Sequence, residues 1–136
     1  MAKESGLGWT TASVDDSSGT LRAIINDVTN LEVATPRGVQ ETTGIDKSAI
    51  ERLLLLGDCS QTWNGVFNDA ASTGAHTVLK TAGSFTGNRT VTLAVSGQTL
   101  TNEMIQTDFA MTRGAGGELT WSAPFVLSDG TVPTWS

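Results

Sequence analysis

Four leucines stand side by side at Leu53, Leu54, Leu55 and Leu56. Successive strand residues point to opposite faces, and successive helix residues spread around the axis, so neither element can bury all four in one core. The quartet lies in Gly38–Asp69, which opens as a polar loop and closes as an alternating strand. Compact domains seldom carry so long a connection unless it has its own role. Some of this apolar surface is therefore expected to meet other copies of the same chain.

The surroundings read as β structure. At 136 residues the chain is long enough for one domain with a sizeable core, and a hydrophobic fraction of 38% excludes a disordered chain. Fifteen glycines and few helical runs favour strands joined by turns. Strands are expected at Trp9–Val14, Leu21–Ile25 and Leu31–Thr35, the first two separated by the turn Asp15–Gly19. From Cys59 the odd positions Gln61, Trp63, Gly65 and Phe67 alternate with Ser60, Thr62, Asn64 and Val66. Val91, Leu93 and Val95 alternate with threonine, alanine and serine, and Leu119, Trp121, Ala123, Phe125 and Leu127 form an inward row. Pro124 in that strand calls for an edge position or a bulge. Gln98–Thr112 reads as one long strand with Ile105, Phe109 and Met111 on one face and Gln106 and Asp108 on the other.

Helical patterns occur twice, the first of them barely two turns long and marginal without packing. Ser48 and Glu51 form a capping box for a short one running through Leu54 and broken at Gly57-Asp58. Asp69 can cap a second, about residues 70–82, whose Ala75, Val78 and Leu79 share a face. The fold class is mainly β: a sandwich or small barrel of about seven strands, one flanking helix and a long loop at about residues 35–57, in a single domain 1–136.

Catalytic machinery is not written in the chain. His76 is the only histidine and has no second ligand at helical spacing, so it reads as a surface or capping residue. The one cysteine, Cys59, sits at an apolar strand position and reads as a small buried hydrophobe. Asp15 and Asp16 lie in a turn, where adjacent carboxylates point apart, and Asn26 stands where a calcium loop needs a bidentate glutamate. Gly114–Gly117 leads into a strand, so it reads as a hairpin turn and not a phosphate cradle. No cofactor and no metal is expected. The net charge of −6 opposes a surface that grips nucleic acid. No run of 18 apolar residues offers a membrane anchor, and Met1–Gly6 lacks the apolar core of a secretory signal, so synthesis in a cytoplasm is expected. Trp63 and Trp121 fall in inward rows, whereas Trp9 and Trp135 lie outside clear alternation and are candidates for an interface.

The phrases NDVTNLEVATPRGVQETTGIDKSAIERLLLLGDCSQTWNGVFND, RTVTLAVSGQTL and GGELTWSAPFVLSDGTVPTW resemble, in that order, the major tail tube proteins of long non-contractile-tailed bacteriophages, most nearly those of actinobacterial phages. The resemblance covers about Leu21 to Ser136. It implies a tail tube fold and subunits that close six to a ring, with rings stacked into a virion tail through which DNA passes without specific binding. It implies partners at the tube's ends and interior, namely tail tip or terminator proteins and a tape measure protein, and synthesis in a bacterial host's cytoplasm. In that family the long early loop reaches neighbouring subunits. That role falls here on Arg37, Ile45, Asp46, Ile50, Arg52, Leu53 and Leu54, with Trp9 and Trp135 from the terminal segments. Glu103 and Asp108 are the candidates for lining the channel. A capsid decoration protein and a sugar-binding β-sandwich module on a virion are the competing readings.

Overall fold

The protein is described by a computed structural model covering residues 3–136. Its strands are β1 (Trp9–Asp15), β2 (Leu21–Ala23), β3 (Val28–Ala34), β4 (Arg37–Glu41), β5 (Arg52–Gly57), β6 (Ser60–Val66), β7 (Arg89–Val95), β8 (Gln98–Gln106), β9 (Ala110–Arg113) and β10 (Leu119–Leu127); α1 (Ala75–Leu79) is the one α-helix among the described residues. Eight strands form one antiparallel sheet in the order β2-β1-β7-β8-β10-β6-β3, with β9 added alongside β10. The other two, β4 and β5, pair only with each other. The mainly β expectation holds, with ten strands among the described residues in place of about seven.

Alternation places one face of the sheet inward. Val14, Val91, Leu93, Leu100, Met104, Trp63, Ala123 and Phe125 are all fully buried in one cluster, so the sheet curls its two halves around a shared core. Helix α1 closes this core with Ala75, Val78 and Leu79, the three residues expected on its inner face. Trp63 and Phe125 rings lie 5.4 Å apart, and the indole of Trp63 donates to Gln61 Oε1 at 2.9 Å, which explains how a glutamine occupies an inward position. Burying an unpaired indole or amide would cost free energy that this bond recovers. Cys59 is buried as expected, and burial pushes its thiol pKa up.

Four expectations need correction. The helix over residues 48–54 is absent: the chain is irregular to Glu51 and then extended as β5. A two-turn helix is marginal without packing, and the capping box had no core to stand on. The later helix is shorter than 70–82, and Asp69 does not cap it. Gly74 occupies the cap position, while the buried carboxylate of Asp27 accepts the Ala75 N–H at 2.9 Å and the Asn68 amide at 3.0 Å. The long strand over 98–112 is two strands, β8 and β9, joined by Thr107–Phe109. Within β8 its parity is also the reverse of that expected, since Gln106 is buried and Ile105 exposed, whereas half-buried Phe109 and exposed Asp108 fall as expected. Gln106 faces inward because its amide donates to Leu79 O and Asp108 O, at 3.2 and 3.1 Å.

Pro124 lies in a central strand, not at a sheet edge. Yet β9 pairs with β10 up to Ser122 and β8 takes over from Phe125, so the proline faces the break between them. Its carbonyl accepts Thr107 N–H there, and its missing N–H faces the same gap. Lone His76 is half-buried between the rings of Phe67 and Phe109, at 4.7 and 5.5 Å. Arg89, 1% exposed, donates to Asp15 O, Val78 O and Thr81 Oγ1, tying β1 to the end of α1. Burial lowers its pKa, opposed by Asp15 and Asp16.

Candidate assembly interface

The leucine quartet builds an arm. β3 and β6 pair as far as Ala34 and Ser60, the ladder lapses at Thr35-Pro36 and Asp58-Cys59, and it resumes as β4 against β5. One bond spans the lapse, from Asp58 N–H to Pro36 O at 2.9 Å. Proline cannot donate to a ladder, so a break belongs there. Beyond it the arm carries Val39 directly opposite Leu54 and Gln40 opposite Leu53, with a bulge at Leu55-Leu56 across from Gly38. Directly opposed residues share a face, so the two pairs lie on opposite faces of the ribbon.

Every arm residue from Arg37 to Leu56 except Thr43 is exposed. Leu53, Leu54 and Leu56 are 57%, 64% and 90% exposed, and Ile50 and Ile45 at the tip are exposed too. An isolated two-stranded hairpin is marginal in water, and this one carries exposed leucine on both faces. Among the described residues of the chain nothing covers these leucines.

The expected interface residues divide as follows. Arg37 braces the arm's root, its guanidinium donating to Leu55 O at 3.3 and 3.2 Å. Asp46 pairs with Lys47 at 3.8 Å in solvent, a contact worth little by itself. Arg52 opposes Glu41 across the ladder. Trp135 is 37% exposed on the C-terminal segment, whose Val132 and Pro133 line a hollow at the arm's root with Thr35 and Gly57. Trp9 is apart from all of these: half-buried, it packs against the core and walls a cleft of about 360 Å³ with Ile25, Val28, Asn30 and Leu31. Sequence reasoning missed that cleft, because its wall combines β1, β3 and the 3-10 turn Ile25–Asp27. Of the channel candidates, Glu103 is half-buried and accepts a hydrogen bond from the Thr90 hydroxyl. Asp108 sits in the β8–β9 loop and not on a strand face, its carboxylate accepting Phe109 N–H at 2.8 Å. Among the described residues no three acidic, histidine or cysteine side chains gather as a metal site, and no helix is long and apolar enough to cross a membrane.

No protein-family model and no curated protein sequence matches the chain. Solved structures do. A chain in the virion of a native gene transfer agent particle superposes with a TM-score of 0.74 at 11% identity, covering 98% of this chain and 99% of that one. A chain from the tail of an empty gene transfer agent particle, refined helically with C6 symmetry, gives 0.73 at 15% identity, covering 98% of each. At such identities the likeness establishes the fold, and over essentially the whole length: this chain has the fold of those virion and tail chains.

Proposed function

We propose that this chain is a structural subunit of a virion tail tube, not an enzyme, and that six copies close into a ring and rings stack into a conduit for a genome. The observation that carries this reading is the arm: a two-stranded ribbon with exposed leucine on both faces, which its own subunit leaves uncovered. The full-length likeness to a chain of a C6-symmetric tail supports the ring, and the acidic balance of −6 supports a bore to which DNA does not adhere. A tape measure protein inside the tube and tail tip or terminator proteins at its ends follow from the same reading, as does synthesis in a bacterial host's cytoplasm.

A sugar-binding module needs a cluster of open aromatic rings. Trp63 and Trp121 are buried, and Trp135 is the only aromatic residue among the described large apolar side chains that are exposed. Negative-stain microscopy of the purified protein tests the proposal directly. Rings or tubes of uniform bore are expected; a monomer that stays dispersed at high concentration and binds immobilised glycans would overturn it.

A further inference from the structure

Resting on the tube reading, we propose that the Trp9 cleft is the acceptor for the arm tip of a second copy of this chain, seated by Ile45 and Ile50. Donor and acceptor belong to the two ends of one strand. The arm springs from the Ala34 end of β3, while the cleft lies along its Val28–Leu31 end, where a bulge between Val28 and Asn30 breaks the pairing with β6. Those ends are about 20 Å apart at ~3.3 Å per residue. The chain's own tip does not line its own cleft.

The chemistries match. The cleft is walled by the indole of Trp9 and the side chains of Ile25, Val28 and Leu31, all half-buried, with Thr29 and Asn30 open at its rim. Among the described residues no charged side chain lines it. The arm tip offers two uncovered isoleucines, at 108% and 57% exposure. Donor and acceptor are different patches, so the contact can run head-to-tail, and in a stack it propagates from copy to copy instead of closing as a reciprocal exchange between two copies. A stack of subunits needs a contact of this kind. β3 is also an edge strand, so a seated tip would shield backbone groups otherwise open to unwanted strand pairing.

Disulfide trapping in the full chain tests the assignment, using Ile45→Cys with Asn30→Cys. Cys59 is buried with a raised pKa and stays silent. Under mild oxidation of assembled material the double variant should give a ladder of trimers and larger species, whereas mixed single variants should give dimers only. A second pair, Ile50→Cys with Thr29→Cys, guards against one ill-placed side chain. Tubes visible by microscopy with neither pair cross-linking would overturn the cleft assignment and leave the tube reading standing. A double variant that stops at dimers would show a symmetric contact and also overturn it. Failure of the parent chain to form rings or tubes at all would remove the tube reading and this inference together.

Discussion

Asp27 and Ala75 are 48 residues apart in sequence, yet the carboxylate of one accepts the backbone N–H of the other at 2.9 Å. This bond fastens the start of α1 to the 3-10 turn before β3, and the Asn68 amide completes the link at 3.0 Å. Since Asp27 is 4% exposed, water cannot replace it. Asp27→Ala removes a cap worth about 0.5–2 kcal/mol and leaves the Asn68 amide without its partner. A loss of about 2–4 kcal/mol is expected in urea unfolding followed by tryptophan fluorescence. A loss below ~0.5 kcal/mol would mean that α1 is held by its apolar face alone.

Gly65 lies under the ring of Trp121, whose nearest atom would stand 2.6 Å from an added Cβ, and the Asp27 carbonyl would be closer still. Gly65→Ala should therefore cost about 3 kcal/mol or more, at the upper end of overpacking, because backbone cannot move aside as a flexible side chain can. Thermal unfolding by circular dichroism measures this, and an unchanged midpoint would refute the close packing.

Asp16 organises the β1–β2 turn. Its carboxylate accepts from the Ser18 hydroxyl at 2.7 Å, from the N–H groups of Ser18 and Thr20, and from Arg22 Nε at 2.9 Å. The Ser18 hydroxyl bond, with the backbone and Arg22 bonds, holds its pKa well below the ordinary carboxylate range, against a smaller opposing effect of desolvation. A depressed folded-state pKa means that this stabilisation is present above the unfolded value near 4 and is lost as pH falls below it. Asp16→Asn should thus be less stable than the parent at pH 7 by about 1–2 kcal/mol, with the gap narrowing between pH 4 and pH 2. Denaturant midpoints across that range decide the matter; a gap independent of pH would show that charge is irrelevant here.

Leu53 and Leu54 should separate folding from assembly. Each is more than half exposed, so Leu53→Asp should change subunit stability by no more than about 0.5 kcal/mol. Burying that carboxylate against a neighbour costs several times more, and polymerisation should fail. Light scattering beside far-UV circular dichroism reads both quantities. Polymerisation at the parent's rate would remove the arm from the interface.

The strands about the core were the most legible part of the chain. Trp63, Leu93 and Phe125 lie in clean period-two rows, and all are fully buried. Legibility failed where one polar residue finds a distant partner. Gln106 looked like a solvent-face residue, but its amide reaches Leu79 O, a contact that hydropathy does not announce. The true cap of α1 was hidden for the same reason, since the local candidate Asp69 lost to Asp27, which only the fold brings near. Around Ile50 the capping box signalled a helix barely two turns long. Pairing of Leu54 with Val39 prevailed, because a ladder satisfies backbone groups that two helical turns would leave open. The leucine quartet still gave the right lesson, that one core could not take all four, whatever the local structure proved to be.

The lapse in the ladder at Thr35-Pro36 has a mechanical consequence. A continuous ribbon from β3–β6 into β4–β5 would be a stiff lever, and bending it would tear hydrogen bonds in sequence. Here one bond, Asp58 to Pro36, spans the joint. In a tube built by such arms, each subunit could tilt against the next with its grip intact, so the filament would flex like a jointed hose and not snap like a rod.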